Sequence, residues 1–535
     1  DAAAAVIAAS LYQHLPVDAG PAADNPGGGR KLLTFSDSRQ GAAFFAPYLG
    51  SSYKRLLQRR LLLQGIEESC AADHGPSRLD DVIANASRIA TNADFFARRD
   101  SRQAKEREIG LWLAQELVAF DTRQSLEGLG LINLRLEGLS RIADQPIWAS
   151  LGLSPDQAED LLTELLVTLR SQGAVSFPEG VDPADEAFAP RMGPIYVRER
   201  QSDKRVLSWL PTSGVNRRID YLSRVLAASG AAMPATDALA GTWKSLTTGA
   251  DAHLTGSNHP RHGQVFQLDY TWMLVNPGGA DAELFRCSQC AKTSTRNVLG
   301  VCPTLRCGGT LVLVAANANR LAGNHYAHLY RNLLSIPLKV EEHTAQWSAT
   351  EAAAIQNQFI RGEVNALSCS TTFELGVDVG ELQAVLLRNV PPATANYVQR
   401  AGRAGRRTAS SALVVTFAQR KSHDLSRFQE PETMINGAVS PPVIPLGNER
   451  IDRRHAHSVA LSSFFRHVWL KSGVQWRKVG EFFSPEEGTP DPIPLLRAFL
   501  DSAPAEVTDT LRTILPLAVQ AELDLNSGAW VDALM

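Results

Sequence analysis

Arginines at a spacing of three dominate one short stretch of the chain, residues 399–407, which reads QRAGRAGRR. Between Glu381 and Asp424 the sequence has no acidic residue and seven basic ones. A helix with this pattern cannot neutralise its arginines through pairs four residues apart. Because guanidinium groups match phosphate oxygens in bidentate pairs, the stretch predicts a helix that binds a phosphate chain.

A second group of reactive side chains lies upstream, where four of the six cysteines fall within 21 residues. Two pairs are separated by eleven residues: Cys287 with Cys290, and Cys302 with Cys307. Four thiolates at this spacing can close a tetrahedron around zinc, and Gly308-Gly309 would allow a tight turn after the last ligand. The pattern predicts a structural Zn²⁺ site; the alternative is a set of reduced core cysteines. Cys70 and Cys369 are left over.

Short apolar segments that alternate with amphipathic ones must position these groups. Strands are expected at 31–35, 336–341, 364–369, 382–387 and 412–417, with helices starting near Gly41, capped by Ser36 or Asp37, and spanning about 348–361. This order is typical of an α/β fold with a doubly wound parallel sheet, whose ligands bind at the carboxyl ends of the strands.

Nearly 300 residues separate the first two of these strands, too many for a loop. An insertion is therefore expected, helical over 71–195 and strand-rich with the cysteines over 196–330. Residues 154–172 predict two helices followed by a glycine turn into a strand, which is either a winged helix or a structural insert. The sheet would occupy 1–70 and 331–430, and a helical extension 431–535.

The segment STTFELGVDV at 370–379 resembles motif V of superfamily 2 helicases, and QRAGRAGRR resembles their motif VI. Residues 32–40 and 342–345 are similar to further segments of the second RecA-like lobe in DEAD/DEAH-type members. The subgroup most similar comprises the Mrf-type DNA repair helicases and the helicase subunit of the DISARM phage-defence system.

This resemblance implies site residues in an ATP-dependent DNA helicase or translocase. Arg403 and Arg406 would be arginine fingers that stabilise the transferring phosphoryl group, with Gln399 beside them. Gly376, Asp378 and Gly402 would contact the nucleotide. Nucleic-acid backbone contacts would come from Ser370, Thr371, Thr372 and His343, although His343 as a packed polar residue is nearly as plausible.

The pattern GxxxxGK[ST] occurs nowhere in the 535 residues. Residues 185–188 imitate an acidic metal-binding box but do not follow an apolar strand, so we interpret them as a decoy. ATP and Mg²⁺ would accordingly need a first lobe that these residues lack, and this portion alone is expected to be inactive. The alternative is a non-motor scaffold subunit that binds nucleic acid in a multi-protein complex.

The composition restricts the surface charge and the cellular compartment of the protein, but not its mechanism. The net charge of −3 excludes a broadly basic surface, so DNA binding would depend on local patches. No apolar run is long enough for a membrane span, and the clustered cysteines favour metal in a reducing compartment, with the cytoplasm as default. A start without Met or a signal peptide is expected of a fragment of a longer protein.

Overall fold

A five-stranded parallel sheet in the order β12-β13-β1-β14-β15 organises the first part of the chain. The computed structural model describes residues 2–18, 20–97, 99–118, 124–278, 283–314, 323–344, 346–370, 379–380, 382–405, 412–439, 448–485, 488–527 and 529–535. The strands of this sheet are β1 (Leu32–Phe35), β12 (Val340–His343), β13 (Ala366–Cys369), β14 (Ala384–Leu387) and β15 (Leu413–Thr416). The predicted parallel α/β sheet is thereby confirmed.

Helices cover both faces of this sheet, which explains why its three central strands, β13, β1 and β14, are buried along their whole length. Leu32, Ala366 and Leu386 face one core, and Leu33, Leu367 and Val385 face the other. The helices of the first unit are α1 (Ala2–His14), α2 (Arg39–Asp73), α3 (Leu79–Asn92), α4 (Arg102–Leu117), α5 (Leu139–Ala143), α6 (Pro146–Ser150), α7 (Pro155–Arg170), α8 (Arg217–Ser229), α9 (Ala235–Thr247), α10 (His325–Asn332), α11 (Ala349–Ile360), α12 (Thr394–Ala401), α13 (Ser422–Gln429) and α14 (Glu432–Ile435).

The residues between β1 and β12 fold as three smaller sheets with intervening helices. Their orders are β2-β8-β3, β5-β4-β7-β6 and β10-β9-β11. The strands are β2 (Ser77–Arg78), β3 (Ile132–Leu136), β4 (Tyr196–Arg198), β5 (Val206–Ser208), β6 (Leu254–His259), β7 (Gly263–Leu268), β8 (Met273–Pro277), β9 (Phe285–Cys287), β10 (Thr293–Ser294) and β11 (Leu311–Leu313). Short 3-10 helices lie at Pro21–Asp24, Pro26–Gly29, Glu186–Phe188 and Tyr270–Trp272.

Two expectations about helices were wrong. Residues 154–172 hold one continuous helix, α7, rather than two, because Ser154 and Gln157 form a capping box and the apolar stripe runs unbroken to Leu169. The cap of α2 is Ser38, whose hydroxyl accepts from the Gly41 amide at 3.1 Å, not Ser36 or Asp37. Asp37 is used elsewhere, as described below.

The chain divides into two compact units, residues 1–437 and 438–535. The second unit is helical, as expected, with α15 (Glu449–Ser472), α16 (Val479–Phe483), α17 (Pro492–Asp501), α18 (Ala505–Ile514), α19 (Leu517–Glu522) and α20 (Trp530–Leu534) around a core that includes Phe464 and Trp530. The domain boundaries given above at 70, 195, 330 and 430 stay predictions. Among the described helices none is long and apolar enough to cross a bilayer.

Candidate nucleotide-facing edge and metal site

Polar residues from four strands meet at the carboxyl edge of the parallel sheet. Asp37 follows β1, His343 ends β12, Ser370 follows β13, and Arg388 and Asn389 follow β14. Parallel strands that start in register bring these positions to one edge, where ligands of such sheets bind. The edge therefore assembles residues that are up to 352 positions apart in sequence.

Asp37 joins three segments of this edge. Its amide donates to Asn389 Oδ1 at 3.1 Å, and its carboxylate accepts from Asn389 Nδ2 and from Arg400 Nη2. Arg400 is completely buried and also lies over the Phe35 ring, 5.7 Å from its centroid. A buried guanidinium needs such a partner, because an unpaired charge in the interior is costly. Asp37 thus fixes helix α12 against the end of β1.

Arg388 is a second buried cation of the basic stretch. Its Nη1 donates to the Gly41 carbonyl at 2.8 Å, and its guanidinium lies 3.7 Å from the Phe45 ring centroid. Burial lowers the pKa of Arg388 to about 10, so the group stays charged at neutral pH. Arg388 therefore packs α2 onto β14 and is not presented to solvent.

The expected arginine-bearing helix ends before most of its arginines. Helix α12 ends at Ala401, and Gly405 adopts φ +79°, with its amide donating to the Leu382 carbonyl at 2.9 Å. The prediction of one helix carrying every arginine was wrong, because Gly402 and Gly405 favour a turn. Arg400 is the one arginine of this stretch within α12, and its charge is matched by a carboxylate from a distant segment rather than by phosphate.

The implied site residues that the structure describes lie at or near this edge. Gln399 is exposed on α12, and Gly402 is its exposed C-cap. Arg403, in the following turn, is 6% exposed. Ser370 is fully buried and His343 half-buried; burial lowers the pKa of His343 and favours a neutral ring. Outside the described residues lie Thr371, Thr372, Gly376, Asp378 and Arg406.

Sequence reasoning missed Asp37, Asn389 and the structural use of Arg400. The available signal was position: Asp37 comes directly after a buried strand, and Asn389 follows the neighbouring strand at the same edge. The acidic-box decoy has no such position. Residues 186–188 form a 3-10 helix whose preceding Asp185 accepts from the Ala187 amide at 2.9 Å.

The four predicted metal ligands come together in the small sheet β10-β9-β11. Their sulfur atoms all lie within 4.8 Å of one another. Cys287 and Cys307 are 3.6 Å apart, as are Cys290 and Cys302. A tetrahedral Zn–S distance of about 2.3 Å requires sulfurs roughly 3.8 Å apart, so the cluster fits a metal of this kind.

Backbone geometry at the two cysteine pairs explains the local sequence. Ala291 and Arg306 adopt positive φ values of 57° and 55°, which turn the chain beside Cys290 and Cys307. Gly308 and Gly309 were expected to allow that turn, but neither has a positive φ, and only Gly309 is needed for space. A Cβ on Gly309 would lie 2.5 Å from Cys287 Sγ and 2.7 Å from Gln289 Cβ.

Helix α8 holds the second cysteine pair through one guanidinium. Arg224 Nη1 donates to the Cys302 and Cys307 carbonyls, both at 2.7 Å, and Nη2 to the Thr304 carbonyl at 3.0 Å. Asp220 orients Arg224 and also accepts from the Arg306 amide at 3.0 Å. The second cysteine pair is thus anchored to helix α8 by the Arg224 guanidinium, which Asp220 holds in place.

The cysteines do not share one protonation behaviour. Burial raises the pKa of Cys302 to about 12. Burial opposes ionisation of Cys290 too, but hydrogen bonds from the Thr304 hydroxyl and the Lys292 amide lower its pKa to about 6. Four ionised thiolates at neutral pH would accordingly require a bound cation, which deprotonates coordinating thiols.

Segments of the chain are similar to known proteins. The helicase conserved C-terminal domain matches residues 298–408. Druantia protein DruE of Escherichia coli is 42% identical over 160 residues, which cover 27% of this chain and 9% of that protein. ATP-dependent helicase HRQ1 of Saccharomyces cerevisiae is 32% identical over 97 residues, 18% of this chain and 9% of that protein.

Residues 298–408 therefore carry a helicase C-terminal domain, in agreement with the resemblance to superfamily 2 helicases, and short segments of the chain are similar to DruE and HRQ1. The matched segments span about a tenth of the length of these curated relatives. Among solved structures, the DUF1998 helicase MrfA bound to DNA aligns with a TM-score of 0.21 and 22% identity, over 25% of this chain and 18% of that one. A likeness of that size carries no argument of its own.

Proposed function

We propose that this chain is the carboxyl-terminal part of an ATP-dependent DNA helicase or translocase. It would supply arginine fingers and nucleic-acid backbone contacts in DNA repair or anti-phage defence. The supporting observation is the carboxyl edge of the sheet, which holds Ser370 and His343 and where the Asp37–Arg400 ion pair fixes the segment that leads into Arg403. Gln399 and Gly402 are exposed there.

In this proposal Arg403 and Arg406 act on the γ-phosphoryl group of ATP, with Mg²⁺ held by a first lobe. Preorganised cations near the oxygens of the phosphoryl group that is being transferred stabilise the transition state. Gly376 and Asp378 would contact the nucleotide, while Thr371, Thr372 and Ser370 would contact the nucleic-acid backbone. The four cysteines would hold a structural Zn²⁺, because all four coordination positions are taken by protein.

The burial of Arg403 and the structural use of Arg400 favour a second candidate, a scaffold that binds nucleic acid without turnover. In that case the arginines would hold the fold or contact phosphates. The two candidates predict different losses when Arg403 is replaced. The motor predicts a loss of ATP turnover, and the scaffold predicts a loss of nucleic-acid binding.

The deciding experiment uses the full-length protein with Arg403→Ala and Arg406→Ala. We expect DNA-stimulated ATP turnover to fall at least about a hundredfold, while single-strand binding without ATP changes much less. Arg→Lys should not rescue either position, because an ammonium lacks the planar fork. The matched control is Arg420→Ala, an exposed arginine of the same basic stretch.

Near-normal turnover together with lost DNA affinity and a smaller salt dependence would place the scaffold first. Thermal unfolding of each variant is recorded alongside, because Arg403 is buried. An Arg403→Ala protein that unfolds at the wild-type temperature but lacks turnover supports the motor. The 535-residue chain by itself is expected to hydrolyse ATP negligibly.

A further inference from the structure

The sheet β5-β4-β7-β6 of the insertion ends in two turns that lie side by side. Residues 199–205 connect β4 to β5, and 260–262 connect β6 to β7. Antiparallel pairing of Val197 with Phe266 places the end of β4 beside the start of β7, which brings the start of the 199–205 connection and the 260–262 turn to one end of the sheet. Because β5 runs parallel to β4, the connection then returns toward the start of β4, where Arg205 lies against Gly193. We call residues 198–205 and 259–264 together the basic tip.

Side chains fix the two turns to each other. His262 Nδ1 lies 3.0 Å from Asp203 Oδ2, and the His259 and His262 rings stack with centroids 4.7 Å apart. His259 Nδ1 accepts from the Arg261 and His262 amides at 3.2 and 3.3 Å. The tip is therefore built as one surface rather than as two independent loops.

The charge of this surface differs from that of the whole chain. The basic tip has two acidic residues, Glu199 and Asp203, against five basic ones: Arg198, Arg200, Lys204, Arg205 and Arg261. All of the basic residues are exposed except the half-buried Arg198. Within the described part of the chain none of the five forms an ion pair, and Asp203 is bonded to His262. A positive surface thus stands on a chain whose net charge is −3.

Edge strand β6 extends this surface with neutral polar groups. Ser257 and Asn258 are exposed, and the strand pairs only with β7 among the described strands. Exposed hydroxyl, amide and guanidinium donors are the groups that contact phosphate and sugar oxygens in nucleic-acid complexes. Guanidinium forks in particular match phosphodiester oxygens.

We propose that the basic tip is a nucleic-acid backbone contact of the insertion, separate from the carboxyl edge of the parallel sheet. This inference extends the proposed function and rests on it for the identity of the macromolecule. The contact is independent of base sequence, because the tip offers cations and short polar side chains to phosphates.

Helix α7, by contrast, does not offer such a contact. Its Arg170, the one cation expected on a recognition helix there, is 5% exposed and bonded to Glu127. Glu127 also lies 3.6 Å from Arg296, so the cation is held within a buried ion network. Helix α7, which the sequence pointed to, therefore presents no such cation to solvent, whereas the tip presents several.

The test is a triple substitution of exposed turn residues, Arg200→Gln, Lys204→Gln and Arg261→Gln, in the 535-residue chain. Binding of a duplex with a single-stranded end is measured without ATP over a range of salt concentrations. The matched control replaces three exposed helical cations of the same unit, which form no ion pair with any residue that the structure describes: Arg55→Gln, Arg107→Gln and Lys244→Gln. Both proteins lose the same formal charge.

We expect the tip variant to bind about tenfold more weakly near physiological salt, and its log–log salt slope to fall by about 2 to 3. The control should keep the wild-type slope to within about 1. Equal behaviour of the two variants would overturn the proposal, since the loss would then reflect net charge alone. Unfolding temperatures of both proteins exclude misfolding as the cause.

Two further arms separate this inference from its neighbours. Vesicles rich in phosphatidylserine serve as an anionic surface without nucleic acid, and a loss confined to vesicle binding would overturn the nucleic-acid assignment. ATP turnover of the full-length protein at saturating DNA should be unaffected by the tip variant. Failure of the tip and failure of the motor proposal are thus distinguishable, because the Arg403→Ala test depends on turnover and this one on binding.

Discussion

The parallel sheet and the four-cysteine module of this chain achieve order by opposite means. The sheet buries apolar residues on both faces, with strand residues such as Leu33 and Leu386 completely inaccessible. The module has strands of two or three residues, and three of the four buried members of its core are cysteines. So small an apolar core cannot offset the conformational entropy of its own chain without a metal or a cross-link.

The two regions also differ in how they hold a charged side chain. In the sheet region, one carboxylate at Asp37 matches the fully buried Arg400. In the module, Arg224 donates to the carbonyls of Cys302 and Cys307 and is itself bonded to Asp220. Loss of metal should therefore abolish the module, whereas loss of a single charge should only weaken the sheet region.

The largest effect is expected from the metal ligands. Cys290→Ser should lower bound zinc in reducing preparations from about one equivalent to less than about half, because a structural site needs all four ligands. Amide exchange of β9 and β11 should become fast, while exchange of β1 and β13 stays slow. Elemental analysis and hydrogen exchange measure the two effects.

Cys70→Ser is the control for this experiment. Cys70 is buried outside the cluster, and its Sγ donates to the Val275 carbonyl at 3.1 Å, a bond that serine can keep. Zinc content that is unchanged in Cys290→Ser, or lowered equally in Cys70→Ser, would contradict the assignment of ligands.

The next effect tests the sheet region. Asp37→Asn keeps the size of the side chain but removes the negative charge that the buried Arg400 guanidinium contacts at Asp37. Breaking one side of a buried pair costs roughly 3 kcal/mol or more, and the partial exposure of Asp37 (36%) reduces our expectation to about 2 kcal/mol. Urea unfolding measures the loss of stability.

Asp24→Asn is the matched control, since Asp24 is exposed and forms no ion pair among the described residues. If Asp37→Asn unfolds at the wild-type urea concentration, the ion pair does not hold α12 in place. The module should retain its zinc in both variants, which would show that the two regions are stabilised independently.

The Asp37–Arg400 pair also marks the limit of prediction from sequence. All five strands of the parallel sheet were predicted within four residues of their observed starts, because four of them are short, mainly apolar runs between polar turns and β12 begins at the end of the mainly apolar residues 336–340. The cysteine cluster was predicted because metal-ligand spacing is local. By contrast, Asp37 and Arg400 are 363 positions apart, and nothing in either segment alone specifies the other.

Local patterns failed where glycine and burial compete with periodicity. The arginine spacing indicated a helix through residue 407, yet α12 ends at Ala401 next to Gly402. The Pro155–Arg170 stretch was divided in two, although its buried leucines continue at helical spacing. In the first case glycine ended the helix although the arginine spacing continued. In the second case the continuous burial of leucines kept one helix intact.

A smaller effect returns to the module. Gly309→Ala would place a methyl group within 3 Å of Cys287 Sγ and of Gln289 backbone. Overpacking of this kind costs about 1 to 3 kcal/mol, which should appear as weaker zinc binding in a competition with a chelator. Gly308→Ala is the control, because its nearest neighbour would be Gln289 Oε1 at 3.7 Å. Equal zinc affinity of both variants would contradict the role assigned to Gly309.

The smallest effect compares two helix caps, one in each region. Ser348 caps α11 in the sheet region and Ser154 caps α7 in the insertion; both form capping boxes, with Glu351 and Gln157 as the reciprocal partners. Replacing either serine by Ala should cost about 1 kcal/mol.

The two caps differ in the pH dependence of this cost. Hydrogen bonds from the Ser348 hydroxyl and amide lower the pKa of Glu351, whereas Gln157 does not titrate. A depressed carboxyl pKa stabilises the fold above the unfolded-state value of about 4.3 and loses that contribution as pH falls through the folded-state value. The penalty for Ser348→Ala, measured by urea unfolding, should therefore shrink between pH 6 and roughly pH 3, while the penalty for Ser154→Ala stays constant. Glu351→Gln should remove the pH dependence and keep most of the cap, and a Ser348→Ala penalty that does not vary with pH would show that Glu351 contributes no charge-dependent stability.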